Sequence, residues 1–507
     1  MKPERDKENI VKKPVRTISG VTPLAVVLKP KKCNHGTCIY CPGGESVPQS
    51  YTNKSPAIMR ALALQFDPYA QVKNRLYVLD KMGHPTDKIE LIILGGTFSQ
   101  YPRDYQYDFV KRCYDALNSR DSPDLETAKK INETAEHRCV AMCIETRPDG
   151  CSPEEIQGML NFGTTRVEIG VQMPDDELYK KINRGHKVGD VIEATKNLKN
   201  AGFKLGYHIM PGLPYSNPKK DIALFKKIFN DEKFRPDQLK IYPCQIIEDS
   251  PLAKTHGIIG FKPYDEEQTR GILTEMMRLV PEYCRIMRMM REFPREKLIG
   301  GVEKLDLRKD IEYDFRKSKE KIKEIRMREI GFNKNENSGM KLKIIEYDAS
   351  DGREFFLEFV NEEDVLFGLL RLRLFNDSGT DEDNDNKIAL RLKRGDIKNS
   401  REVNNKKRGD NFPVNLKSNL QKRGDIKFSK AIVRELHVYG HSVKIGQKEE
   451  HASQHTGLGK ALLDKAEEIT REHRIKELSI ISGIGVREYY KKLGYELRGF
   501  YMVKGME

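Results

Sequence analysis

The chain has 507 residues, too many for one hydrophobic core, so two or three domains are expected. Lysines and arginines number 90 against 76 acidic residues, and the formal charge of +14 favours a polyanionic partner, nucleic acid first. No apolar run reaches membrane-spanning length and residues 1–15 lack the hydrophobic stretch of a secretion signal, so no membrane partner and a cytoplasmic, thiol-reducing setting are expected. All nine cysteines lie between Cys33 and Cys284, which argues against a disulfide framework distributed along the chain.

Residues 1–20, with Lys2, Arg5, Lys7, Lys12, Lys13 and Arg16, read as a flexible basic arm. An apolar strand over 24–28 runs straight into a loop carrying Cys33, Cys38 and Cys41. A helix follows over 55–82, broken or kinked at Asp67-Pro68, and then a buried strand over 89–94 that ends in Gly95-Gly96-Thr97-Phe98. The alternation continues with helix 105–118, strand 139–145, helix 153–162, strand 166–172, helix 188–201, strand 203–210, helix 221–229 and strand 238–242. Repeated β-α units predict a parallel sheet with helices outside, closed or partly closed into a barrel over residues 21–263. In such folds the reactive residues sit at the carboxyl ends of strands. Glu145, Gln172 and the Gly/Pro turns after the strands fall there.

Residues 264–335 read as a basic helical linker. A second α/β unit is expected over 336–507, with antiparallel strands 341–347, 354–360 and 365–375, strand 432–439, a helix to 473, strand 477–481, a short helix 485–493 and a last strand to 503. Residues 376–430 interrupt it with an acidic and then a basic, Asn-rich stretch, expected to be a disordered insertion.

Two constellations carry chemistry. Cys33, Cys38 and Cys41 cannot complete a tetrahedral zinc site alone, although His35 could be a fourth ligand. They can hold three irons of a cubane cluster and leave the fourth open. Spacing favours neither strongly. The second is Gln454-x-x-Gly457-x-Gly459-Lys460 at a helix start, where backbone N–H groups can meet a pyrophosphate. Tyr489 and Tyr490 downstream would be read as core packing without that loop.

The order strand, three-cysteine loop, barrel and Gly-Gly motif resembles the radical S-adenosylmethionine enzymes, although four residues separate the first two cysteines where that family usually has three. The C-terminal set resembles the GNAT acetyltransferases. Together, through CIYCPGG, DKIELIILGGTF, ETRPD, RVEIGVQ, VRELHVYG, QHTGLGK and YYKKLGY, they resemble the catalytic subunit of Elongator and its single-chain archaeal relatives. The resemblance implies a partial (β/α) radical barrel followed by a GNAT-type α/β domain. It implies a 4Fe-4S cluster on Cys33, Cys38 and Cys41, with S-adenosylmethionine near Gly95, Gly96, Glu145 and Gln172. It places acetyl-CoA against Lys88, Glu435, Leu436, His437, Val438, Gln454, Gly457, Leu458, Gly459, Lys460, Ala461 and Tyr490. Tyr490 is the first choice beside the thioester and Tyr489 the second, while Glu435 is a candidate base or a structural carboxylate.

The activity implied is carboxymethylation of a tRNA wobble uridine at C5, with the anticodon region as partner. The expected alternative is a protein lysine acetyltransferase with a structural iron–sulfur barrel. The segment around Ile325 to Ile330 has no cysteine, so no structural zinc is expected there, and a single chain is expected to act without accessory Elongator subunits.

Overall fold

The computed structural model describes residues 13, 15, 17–333, 339–376, 428–440 and 457–507. The expected insertion, apart from its ends, and most of the basic arm lie outside the described residues, as does Gln454.

The first domain is organised by strands β1 (Thr22–Val27), β2 (Lys88–Leu94), β3 (Arg138–Thr146), β4 (Arg166–Gln172), β5 (Lys204–Ile209), β6 (Gln238–Ile241), a short β7 (Ile246–Ile247), β8 (Arg285–Met289) and β9 (Leu298–Gly300). All but β7 and β9 form one parallel sheet in the order β1-β2-β3-β4-β5-β6-β8. Its edges β1 and β8 do not pair, so the barrel is partial, yet Pro23 and Met287 line a common space because the sheet curls. The two-residue period divides the strands. On β2, Ile89, Leu91 and Ile93 are buried beneath the outer helices, while Lys88, Glu90, Ile92 and Leu94 face the other way, into the lumen.

Local chemistry sets the helix ends. Asp67-Pro68 does break the first helical stretch into Pro56–Ala63 and Pro68–Lys81, with the Asp67 carboxylate accepting from the Ala70 N–H at 2.7 Å. Two short helices not expected from the sequence, Leu125–Asn132 and Asp176–Lys181, are capped in the same way by Asp124 and Asp175.

The expectation of a helical linker over 264–335 needs correction. Helices Glu266–Leu279 and Leu307–Ser318 are present, but between them β8 supplies the last strand of the barrel. Its charges read as a helix surface. In the fold, Ile286 and Met289 are buried, whereas Arg285 pairs with Glu329 and Arg288 with Glu292.

The second domain is a seven-stranded sheet of β10 (Lys341–Ala349), β11 (Gly352–Val360), β12 (Leu366–Phe375), β13 (Lys430–Val438), β14 (Glu477–Ile481), β15 (Glu496–Arg498) and β16 (Tyr501–Gly505), ordered β10-β11-β12-β13-β14-β16-β15. Only β13 and β14 are parallel, and they pair just over Ala431–Val433 and Leu478–Ile480. Beyond Val433 they part. The notch so formed faces the amino-terminal ends of the barrel strands, beside helix Leu458–Glu472.

Buried charges tie the domains together. The Arg434 guanidinium donates to both Asp237 oxygens at 2.7 Å and to Glu354 Oε2 at 2.7 Å. Lys199 lies 3.4 Å from Glu354, and Arg373 donates to Glu354 Oε1 at 3.1 Å. Such a network adds little as a whole, but removing one member strands the others in low dielectric. The domains also touch backbone to backbone: a Cβ on Gly483 would lie 2.0 Å from Val140 O.

Candidate active site

Two cavities occupy opposite ends of the barrel lumen. The first, of about 650 Å³, lies at the carboxyl ends of the strands and receives Cys33, Cys38, Cys41, Gly96, Glu145 and Gln172. All three cysteines are free thiols. Burial raises the Cys38 thiol, but the Arg184 guanidinium, donating to Sγ at 3.6 Å, and His35 outweigh it and bring the pKa to about 6. Cys33 is also lowered: hydrogen bonds from His35 and Thr97 exceed the effect of burial. Burial, then the neighbouring Cys38, pushes Cys41 up to about 11. Three thiols on one cavity wall, two of them biased toward thiolate, are a donor set that fits an iron–sulfur cluster with one open iron.

The glycines behind this wall have separate duties. Gly95 has φ +144°, and a Cβ there would lie 2.8 Å from Leu28 Cβ, so it permits the close approach of β1; Gly96, at φ +89°, faces the cavity. In the lining of this cavity Arg291 lies 5.8 Å from the Tyr51 and Tyr242 ring centres and 4.8 Å from that of Phe293. Arg60, Arg75 and Arg288 line the same cavity.

The second cavity, of about 750 Å³, lies between the domains. It brings Lys88 from β2 against Glu435, Leu436, His437 and Val438 of β13, together with Gly457, Gly459, Lys460, Tyr489 and Tyr490. Lys88 is thus placed 347 residues from Glu435 in the chain yet lines the same cavity. Burial lowers its ammonium pKa. Gly457 caps helix Leu458–Glu472 at φ +87°. A Cβ on Gly459 would approach the Tyr489 hydroxyl to 3.3 Å and Val438 Cγ2 to 3.7 Å, so its bare backbone keeps the cleft open beside the helix N-terminus. Tyr490 is buried and Tyr489 is 40% exposed, their rings meeting edge-on at 5.2 Å.

Two expected contacts are not on this wall: Leu458 packs with Val365 and Phe367, and Ala461 is exposed on the helix. The candidate base role of Glu435 also needs correction. Burial pushes its carboxyl up, but Lys204 and Arg371 outweigh that and hold it at about 2. A carboxylate so gripped is a poor proton acceptor and instead joins barrel to second domain.

Between the cavities runs a ladder of charge that motif reading missed. Arg166 lies 2.9 Å from Glu90, and Glu168 accepts from His208 at 2.8 Å. Lys240 contacts Glu168 and donates to Glu145 Oε1 at 2.7 Å. The carboxylates of Glu145 and Glu168 and the imidazole of His208 lie close enough to share a cation, but the Lys240 ammonium already stands among them.

Residues 28–227 match the model of the Radical SAM superfamily and residues 236–314 that of the Radical_SAM C-terminal domain. Fold and thiol cavity therefore define a radical S-adenosylmethionine protein with a second α/β domain. The chain is 44% identical to the tRNA uridine(34) acetyltransferase of Dehalococcoides mccartyi, over 98% of this chain and 100% of that protein. It is 36% identical to Elongator complex protein 3 of Schizosaccharomyces pombe, over 97% and 86% respectively. A solved structure of archaeal Methanocaldococcus infernus Elp3 with an N-terminal deletion matches with a TM-score of 0.77 at 38% identity, covering 96% of this chain and 100% of that one. The chain belongs to the family of the tRNA uridine(34) acetyltransferases and Elongator complex protein 3.

Proposed function

We propose that the protein carboxymethylates C5 of a tRNA wobble uridine, using acetyl-CoA as the carbon source. The observation that carries this reading is the placement of a three-thiol cavity and a coenzyme-type cleft at the two ends of one barrel. Cys33, Cys38 and Cys41 would hold the 4Fe-4S cluster, with Gly96, Glu145 and Gln172 beside S-adenosylmethionine. Held there, such a cluster would supply the electron for reductive cleavage of S-adenosylmethionine, the source of a hydrogen-abstracting 5′ carbon.

A hydrogen atom leaves the acetyl methyl for the 5′ carbon, and the methylene radical adds to uridine C5. The C5 proton and one electron, taken by a one-electron acceptor, then leave. Water cleaves the thioester to give 5-carboxymethyluridine and coenzyme A. Lys88, the β13 backbone and the helix start at Gly457–Gly459 would grip the coenzyme, with Tyr490 beside the sulfur and Tyr489 behind it. The ring cage of Tyr51, Tyr242 and Phe293 around Arg291 offers stacking to an extruded base, and the arginines around it and the +14 overall charge favour the RNA backbone. Among the described residues no helix is long and apolar enough to cross a membrane. Action in the cytoplasm, as a single chain without accessory subunits, is part of the proposal.

The test is anaerobic incubation with tRNA, acetyl-CoA and S-adenosylmethionine, followed by nucleoside mass spectrometry. Carboxymethyluridine should form and be lost in Cys38→Ala. Full product without S-adenosylmethionine contradicts the reading, and acetyl-lysine on a protein acceptor with unmodified tRNA points to the acetyltransferase alternative.

A further inference from the structure

The proposed reaction ends with water cleaving a thioester, a step that needs a group to take a proton from the water as its oxygen bonds to carbon. Among the described residues lining the interdomain cleft, the three carboxylates are each held by a cation. Glu90 lies 2.9 Å from Arg166, Glu329 pairs with Arg285, and Glu435 pairs with Lys204 and Arg371. Burial makes Tyr439, Tyr489 and Tyr490 hold their phenol protons more tightly than usual. Lys204 and Lys460 are ion-paired with Glu435 and Asp464, and Lys88 is assigned to the coenzyme.

His437 remains. The two-residue alternation of β13 turns Glu435, His437 and Tyr439 toward the barrel, where they meet Lys204, Ser19 and Arg285. Leu436 and Val438 pack on the opposite face. The imidazole Nε2 lies 2.8 Å from the Ser19 carbonyl oxygen. A carbonyl only accepts, so Nε2 carries the proton and Nδ1 keeps a lone pair. Stacking on Tyr439, with ring centres 4.3 Å apart, fixes the plane of the imidazole. Burial, Lys204 and Arg285 outweigh Glu435 and the Ser19 bond and lower its pKa from the usual 6.5, so the ring is neutral at neutral pH. Tyr490 and the helix start share this cleft: a Cβ on Gly459 would lie 3.7 Å from Cγ2 of Val438, the next residue along β13.

We propose that His437 is the general base of thioester cleavage, its Nδ1 taking a proton from the attacking water while the Ser19 carbonyl fixes the tautomer. This rests on the function proposed above. The water oxygen bonds to the carbonyl carbon, the C–S bond breaks, and the imidazolium returns its proton to the coenzyme sulfur. The carboxylic acid so formed ionises in solvent. Glu435, ionised and on the same face of β13, stabilises the imidazolium as it forms.

The experiment incubates full-length, cluster-loaded protein with S-adenosylmethionine, tRNA and methyl-deuterated acetyl-CoA, quenches in acid, and reads two quantities by mass spectrometry. One is the ratio of coenzyme A-linked modified uridine to free 5-carboxymethyluridine. The other is the fraction of 5′-deoxyadenosine that carries deuterium. His437→Gln keeps an N–H for Ser19 but has no basic nitrogen. It should raise the ratio about tenfold or more and leave the deuterium fraction at the wild-type value. His437→Gly should behave alike, with free product restored by added imidazole. If neither variant folds, the wild-type protein decides: its linked share should grow as pH falls below 6.5, through the lowered histidine pKa. The other charged groups facing the ring, Glu435, Lys204 and Arg285, are ion-paired. A wild-type ratio in folded His437→Gln, or a linked share that is flat with pH, overturns the base. So does a fall in the deuterium fraction, which would make His437 a holder of the coenzyme. Absence of both modified uridines from the wild-type reaction contradicts the proposed function itself, a different result.

Discussion

At the thiol cavity Cys38, Gly96, Glu145 and Gln172 all come from strand ends and loops of one sheet, whereas the interdomain cleft takes Lys88 from the barrel and Glu435, Gly459 and Tyr490 from the second domain. The first is preorganised by a single parallel sheet with an apolar layer beneath it. The second exists only while two domains stay docked through buried charges. One enzyme thus combines a site that folding alone completes with a site that docking completes, and variants can separate the two.

The largest separation is expected from Cys38→Ala. It should abolish the iron–sulfur absorbance after reconstitution, while calorimetry finds acetyl-CoA affinity intact. Arg434→Ala does the reverse. It leaves Asp237 and Glu354 short of their shared cation, a loss of about 3–5 kcal/mol visible in denaturant titration, and acetyl-CoA affinity should fall while cluster content persists. An unaltered affinity would mean that the cleft survives undocking.

Acid probes the same joint. Glu435 is held at about 2 against its usual 4.5. Because the folded value is depressed, its contribution is complete above pH 4.5 and is lost as pH falls from there through about 2. The shift corresponds to roughly 3 kcal/mol, and Glu435→Gln should flatten that part of the acid stability profile. Gly483→Ala sets a Cβ against the Val140 carbonyl, 2.0 Å away, and should cost about 1–3 kcal/mol, again weakening acetyl-CoA binding before cluster retention. Smallest is Tyr490→Phe, with product formation down about tenfold; Tyr489→Phe, at a half-exposed ring, should do less.

The barrel was legible wherever the period was unbroken: β4 has the expected bounds 166–172, because its strand is closed by turn-forming residues on both sides. The thiol loop was legible because its ligands are close in sequence. Arg285–Met289 was not, since an arginine-rich strand at a sheet edge has the composition of a helix surface and its acidic partners Glu329 and Glu292 lie elsewhere in the chain or just beyond it. The charge ladder had a signal that was passed over. Arg166 and Glu168 alternate with Val167 and Ile169 on a strand of a parallel sheet, where both faces are normally apolar, and that alternation marks a polar lumen. Lys88 could be placed only through family resemblance, because the cleft joins residues hundreds of positions apart. The double grip on Glu435 depends on Lys204 and Arg371 meeting across the domain boundary, which no local pattern records.

The central claim is that the two ends of the barrel serve one reaction. Its most direct test is acetyl-CoA labelled with ¹³C in both acetyl carbons, incubated with tRNA and S-adenosylmethionine on the reconstituted protein. The account predicts both labelled carbons in the modified wobble uridine, dependent on S-adenosylmethionine. Modified uridine without label, or label carried only as acetyl groups on protein or RNA nitrogen and oxygen, would contradict it.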